Sequence, residues 1–345
     1  MNLCKPSRLP RAAAVALGIA LSVLVAACGG PSGSSGGSDD GLVPVTHQLG
    51  WIASTQSIGE IVAVEKGFFR EEGLDVAIEL GGPNIDGVAL VASGRADVGQ
   101  VSSSPSLLLA AAQGIPVRAI AVGAQQHPYG YVSMPGSRLD TPDDLRGRKI
   151  GATSTGFVLI NALLEANGIP RDEVEIVTTG TEITPLLTGQ VDAYGAWRSN
   201  ASWLRQLPEG YGFIGLWENG VQLYPLPYYA TEKMIKENPE LLQKFVRGLA
   251  RGWRFAHDNP EEAVDILVRA YPNLNREDEA EGLAALMPYA FTEATDTGGW
   301  GAMSDDIWQR QIDLLAKVDA FGGKPAPDID SVRDNSILDA TGDAR

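Results

Sequence analysis

The segment QLGWIASTQSIGEIVAVEKGFF, residues 48–69, joins an extended run to a helix. Leu42, Val43, Val45 and Leu49 read as a strand, and Ile58, Ile61, Val62 and Val64 recur at helical spacing. Between them Ser54, Thr55 and Ser57 each offer an oxygen to cap a helix start, where backbone N–H groups lack partners of their own. Trp51 stands just ahead of these hydroxyls. In an open α/β sheet such a turn lies at the carboxyl end of a strand, where these folds bind ligands. Trp51 is therefore a candidate ligand floor, set against the plainer alternative that its ring packs under the loop.

The same alternation runs on through the chain. Residues 74–80 read as a strand, the turn 81–84 leads through Asn84 into a helix over 88–92, and 94–101 returns into a strand. Ser104 is placed to cap a helix begun by Pro105, and 117–122 is a further strand. The order β-α-β-α-β-α-β predicts a parallel or mixed sheet with helices on its faces. The second half repeats it, with strands over 148–152 and 174–177 and hydroxyl-rich turns at Thr153–Gly156 and Thr178–Thr181. The run GQVDAYG at 189–195 then parallels GRADVG at 94–99. Two copies predict two similar α/β lobes, too few for a stacked solenoid. Segments rich in Pro, Gly and Tyr, 125–135 and 217–229, are placed to cross between them. Beyond, Leu241, Leu242, Phe245, Val246, Leu249 and Trp253 mark an amphipathic helix opened by Asn238-Pro239, and helices from Pro260 and over 307–318 follow.

The amino terminus has a different character. Lys5, Arg8 and Arg11 precede an uncharged run, 12–27, that is shorter than the roughly 20 residues of a spanning helix. It ends in LVAACG at 24–29, which resembles a bacterial lipobox in which Cys28 becomes the lipidated first residue. Residues 1–27 are thus expected to be a lipoprotein signal peptide and 28–41 a flexible tether. The formal G-x-S-x-G at 33–37 lies in that tether with no strand before it or helix after it, so it is not a hydrolase elbow. The chain's 2 cysteines, Cys4 and Cys28, fall in these segments, which excludes disulfides, cysteine nucleophiles and cysteine metal ligands from the folded part. A net charge of −16, more negative once the basic leader is gone, argues against nucleic acid and anionic lipid surfaces as partners.

With these residues in view, the chain resembles the solute-binding lipoproteins of bacterial ABC importers, in the branch holding nitrate, sulfonate, taurine and thiamine-pyrimidine-precursor binders. The resemblance rests on Trp51, Gly59, Val62-Ala63, EKGFF at 65–69 and EGLDV at 72–76. It continues through SGRADVG at 93–99, TPDDLRGRKIG at 141–151, GWG at 299–301 before Trp308, and NSIL at 335–338. It implies an α/β, two-lobed, type II periplasmic-binding-protein fold with the ligand cleft between lobes joined by two crossing segments. Lobe 1 would comprise 42–127 and 224–335 with the C-terminal helices, and lobe 2 would comprise 128–223. Pyrimidine binders carry Pro, Asn and His after the tryptophan, where this chain has Ala53, Ser54 and Ser57. Their Tyr-Trp-Asn-x-Glu-like run is replaced by AWRSNA at 196–201, so the usual carboxylate is missing and the ligand stays open. Fungal synthases of this fold use a cysteine-rich motif and a histidine. No cysteine follows Cys28 here and His47, His127 and His257 are scattered, so the expectation is a binding protein without catalytic residues, metal or cofactor.

In a two-lobed binder, strand ends from both lobes face the ligand. The candidate site is Trp51, Ser54, Thr55 and Ser57; Asn84; Ser102 and Ser103; Thr153, Ser154 and Thr155; Glu182; Trp197 and Arg198; and Tyr228. For each hydroxyl, helix capping competes with ligand contact; Arg198 is set to meet an anion or to point to solvent. The expected partners are a small-molecule ligand and an ABC permease, met by a lipid-anchored monomer on the extracytoplasmic face of the membrane. The ligand is expected to be pyrimidine-like or a related heteroaromatic, with a sulfonate, taurine or nitrate as the alternative, or a sensor role.

Overall fold

The computed structural model describes residues 41–153 and 156–342. The expected leader, Cys28 and the tether up to Asp40 lie outside the described residues, as do Ser154 and Thr155. Among the described residues, no helix is long and apolar enough to cross a membrane.

Two five-stranded sheets organise the chain. The first contains β1 (Val43–Gln48), β2 (Leu74–Glu79), β3 (Val98–Gln100), β4 (Val117–Val122) and, much later, β10 (Pro227–Thr231), in the order β2-β1-β3-β10-β4. The second contains β5 (Tyr129–Ser133), β6 (Lys149–Ala152), β7 (Glu175–Thr178), β8 (Ala193–Trp197) and β9 (Gly212–Gly215), in the order β7-β6-β8-β5-β9. β1 runs parallel to β2 and β3, as β6 does to β7 and β8. β10 and β5 are antiparallel to both their neighbours. In each sheet the antiparallel strand has just arrived from the other sheet, over 123–128 in one direction and 216–226 in the other.

The crossings are therefore shorter than their composition suggests. Residues 129–133 and 227–231 are strands, which puts Tyr228 in mid-sheet instead of on a crossing segment. Asn84 is also displaced from its expected role. It sits in a turn, and the next helix, Gly87–Ala92, is capped by Asp86, whose carboxylate accepts the Ala89 N–H at 3.0 Å. Ser104 precedes the helix Pro105–Ala112 without capping it, and its Oγ instead accepts the Tyr224 N–H at 3.2 Å.

The repeated G-x-x-D runs have one physical meaning. Gly94 and Gly189 take φ of 73° and 72°, a left-handed turn that glycine adopts without Cβ strain. Asp97 and Asp192 then open β3 and β8. Each carboxylate accepts a backbone N–H, from Thr46 and from Lys149, at 2.8 Å. Each aspartate's own N–H returns a bond to the carbonyl of that same residue, at 2.9 and 2.7 Å. The bracket fixes where β3 begins to pair with β1, and β8 with β6.

Both faces of each sheet are covered. Val45, Ile58, Val62, Phe245, Leu249 and Trp253 join one face of the first sheet to the helices Ile58–Glu65 and Pro239–Asp258. Leu107, Leu108, Val117, Trp308 and Leu315 fill the other. In the second sheet Ile150, Leu159 and Leu163 pack on one side, and Val132, Ile183 and Tyr194 on the other. A helix that the apolar spacing does not announce, Arg276–Ala290, packs beside Pro260–Ala270.

Asp97→Ala and Asp192→Ala are each expected to lower stability by about 1–2 kcal/mol, since each strands a strand-entry N–H that a carboxylate now accepts. Urea unfolding measures it; losses near zero would mean water replaces the bracket without penalty.

Candidate ligand cleft

The carboxyl ends of β1 and β3 from one sheet and β6 and β8 from the other carry the candidate turns, and the segment 123–128 runs between them. His127 in that segment is the meeting point. Its Nε2 lies 3.0 Å from Ser103 Oγ at the end of β3, and its ring centroid is 4.9 Å from that of Trp197 at the end of β8. Nδ1 accepts the Tyr129 N–H at 3.3 Å, which assigns the proton to Nε2 and makes His127 the donor to Ser103. The serine's own hydroxyl proton is thereby left for another acceptor. Burial lowers the His127 pKa from 6.5 to about 3, so the imidazole stays neutral.

Trp197 is half-buried and packs against the cores of both lobes. Its neighbour Arg198 donates its backbone N–H to Pro128 at 2.9 Å and lays its guanidinium 3.7 Å from the Phe213 ring centroid. The Nε of Arg198 is buried with no hydrogen-bond partner.

In the other lobe Trp51 is half-buried, held between two close backbone passes. A Cβ on Gly50 would stand 2.8 Å from the Gln100 carbonyl, and one on Gly81 would stand 2.3 Å from the Leu49 carbonyl. Only glycine lets three chain segments meet there. The Trp51 carbonyl accepts the Gly81 N–H at 3.0 Å. The Ser54 and Ser57 hydroxyls are committed to the backbone of their own turn. Ser57 Oγ donates to the Ser54 carbonyl at 3.1 Å and accepts the Ser54 N–H at 3.3 Å, while Ser54 Oγ accepts the Gln56 N–H at 3.3 Å. The Thr55 N–H goes to Glu279 Oε2 at 2.8 Å. For Ser54 and Ser57 the structure thus displays a capping box.

The remaining candidates scatter more widely. Ser102 is half-buried and its carbonyl accepts the Leu226 N–H at 3.2 Å. Thr153 closes the turn after β6, its Oγ1 accepting the Gly156 N–H at 3.3 Å. Asn84 and Glu182 are exposed, the latter ahead of the short helix Thr184–Leu187. Tyr228 is fully buried in β10, its hydroxyl accepting the Trp253 Nε1–H at 2.9 Å and its ring tilted against Trp300. It belongs to the core and presents no surface to a ligand.

Three participants were not legible beforehand. In the sequence His127 is one of three scattered histidines, with Gln125-Gln-His-Pro at a lobe crossing as its available signal. Gln100 closes the GRADVG run and turns out to be buried beneath the Trp51 turn. The helix Arg276–Ala290 touches both lobes: Glu279 meets Thr55, while Asp278 and Glu281 pair with Arg205 at 2.8 and 2.7 Å. At its far end the Tyr289 carbonyl accepts the N–H groups of Gln125 and Gln126.

Two α/β lobes joined by two crossings, with a cleft at strand ends, make this a two-lobed periplasmic-binding-protein fold. The aliphatic sulphonate binding protein SsuA of Escherichia coli shares the fold, with a TM-score of 0.67 at 14% identity over 86% of this chain and 92% of that one. The family model described as "NMT1/THI5 like" matches residues 54–263, and the chain belongs to that family. It is 26% identical to the formylaminopyrimidine-binding protein of Halalkalibacterium halodurans, over 80% of this chain and 86% of that protein. It is also 26% identical to the riboflavin-binding protein RibY of Chloroflexus aurantiacus, over 87% and 90%. A relative of another kind is the 4-amino-5-hydroxymethyl-2-methylpyrimidine phosphate synthase of Candida albicans, 27% identical over 64% and 69%.

His127 yields a pH prediction. Below pH 6.5 the unfolded chain takes up a proton that the native imidazole refuses until about pH 3. Stability therefore falls as pH falls through that window, by up to about 1.4 kcal/mol per pH unit from this group. His127→Gln, which retains an N–H donor, is expected to flatten that slope between pH 6.5 and 5 in urea unfolding. An unchanged slope would show that His127 does not carry it.

Proposed function

We propose that this protein is the extracytoplasmic solute-binding component of an ABC importer and that it captures a flat heteroaromatic compound between Trp51 and Trp197. Trp197 carries the proposal. It is half-buried between the two cores and packs on a neutral histidine that occupies the Ser103 oxygen and so leaves the serine's own proton free. A stacking face with an oriented edge donor suits a neutral ring carrying acceptor atoms. The formylaminopyrimidine- and riboflavin-binding relatives support the same class of ligand. The lobes, 42–127 with 224–335 and 128–223, close on the ligand about the crossing segments.

Binding is favoured over turnover despite the synthase relative, because cysteine is absent beyond Cys28 and the cysteine-rich chemistry of such enzymes has no counterpart here. One observation favours a second ligand class. The buried, unpartnered Nε of Arg198 suits a sulfonate or another anion.

A thermal-shift panel of aminopyrimidines, flavins, nucleobases, taurine, alkanesulfonates and nitrate separates these. Aminopyrimidines or flavins are expected to stabilise the protein, by roughly 2.7 kcal/mol at a hundredfold excess over Kd. Trp197→Ala is expected to weaken the best binder at least about threefold to tenfold, the equivalent of one lost stacking contact. Stabilisation by sulfonates or nitrate alone, undiminished in the variant, would overturn the stacking proposal. For the membrane anchor, Cys28→Ala is expected to release the protein from the membrane fraction; retention there would rule out lipidation at Cys28.

A further inference from the structure

Between the end of β1 at Gln48 and the 3-10 turn Thr55–Ser57, the chain that carries Trp51 has no regular structure. One side chain reaches both of its ends. Gln100 Oε1 accepts the Gly50 N–H at 3.2 Å, and Gln100 Nε2 donates toward the Gln56 carbonyl at 3.4 Å and Glu60 Oε1 at 3.3 Å. Gln100 is 3% exposed and Glu60 is wholly buried. The carboxamide thus spans the turn from the residue before Trp51 to the residue before Ser57.

Glu60 explains why the carboxamide sits as it does. Turning the amide over would set its oxygen against the Gln56 carbonyl and the Glu60 carboxylate, and its NH2 against the Gly50 N–H. Every contact would then oppose like with like. Burying a carboxylate is costly, and here the compensation is thin. Glu60 Oε1 has Gln100 and, at 3.8 Å, the Nε2 of a fully buried His47; Glu60 Oε2 and His47 Nε2 have no hydrogen-bond partner. The remaining walls are Tyr228 and Phe245, at 5.9 and 5.3 Å from the His47 ring, and the Tyr228 hydroxyl, which accepts the Trp253 Nε1–H, also faces Glu60 and Gln100. An apolar residue at position 60 would fill such a site at less cost, so the carboxylate calls for another explanation than packing.

We propose that Gln100 is a positioning residue for the ligand turn and that Glu60 fixes the orientation of its carboxamide. The pair holds Trp51 at the cleft without touching the ligand, which deepens the binding function proposed above and rests on it for the role of Trp51.

Hydrogen exchange on the unliganded protein tests the positioning directly. Gln100→Leu is expected to speed exchange of the amides in 50–57 by about tenfold while β4, Val117–Val122, stays within about twofold of the parent. Glu60→Gln, which keeps a carbonyl acceptor for Gln100, is expected to preserve protection, and Glu60→Leu to lose it. Should Gln100→Leu fail to accumulate, Gln100→Asn keeps a buried amide one methylene too short to span the turn and is expected to give the same local release. Unchanged exchange over 50–57, or a rise shared equally by β4, overturns the proposal. The ligand is tested separately with riboflavin and 4-amino-5-hydroxymethyl-2-methylpyrimidine as probes. Local release in Gln100→Leu with neither probe bound by the parent supports positioning and counts against the heteroaromatic function. Equal probe affinity in parent and variant, with 50–57 released, overturns the link between the turn and the cleft.

Discussion

His127 meets Ser103 from one lobe and Trp197 from the other, and it does so without charge. A protonated imidazole there would need a counter-charge that its surroundings do not offer, and burial removes the proton instead. Because the Tyr129 N–H occupies Nδ1, the direction of every later bond is fixed: the ring gives to the serine and the serine can give onward. The Ser103 hydroxyl thus acquires a defined hydrogen-bonding sense from one tautomer in a crossing segment. The remaining cleft turns are arranged around that segment.

The helix Arg276–Ala290 plays the complementary part on the outside. It ties the Trp51 turn through Glu279, the far lobe through Arg205, and the crossing itself through Tyr289. Arg205 is more than a third exposed, so its ion pairs contribute little individually. Their importance is geometric, since they give a single helix contacts with both lobes.

The lobes were visible in the sequence because their repeat has a backbone cause. A left-handed glycine and an aspartate that brackets the neighbouring strand impose the same short spacing twice. The strand, turn and helix around Trp51 were equally plain, since alternation and helical periodicity change over within a few residues. Other features were hidden for physical reasons. PLPYYA at 225–230 reads as irregular, yet Pro227 opens a strand, so Tyr228, which its surroundings place on a crossing, lies in the core. The helix Arg276–Ala290 starts REDEAEG and contains Pro288, which leaves no continuous apolar stripe to detect. The Ser54 and Ser57 hydroxyls cap their own turn, a use that residue type alone does not separate from ligand contact. Partnership between His127 and Ser103, 24 positions apart, is set by tertiary structure alone.

The placement of β10 between β3 and β4 also bears on how the molecule is made. β4 has no strand neighbour in its sheet other than β10, so the first sheet stays open until the chain has been synthesised through Thr231. All five strands of the second sheet lie between Tyr129 and Gly215, a closed set that needs nothing from either side to complete its pairing. Its contacts are nearer in sequence, and closing them costs less chain entropy. The lobe whose five strands lie together in sequence is the one equipped to fold first, while the lobe whose strands flank it waits for its last one.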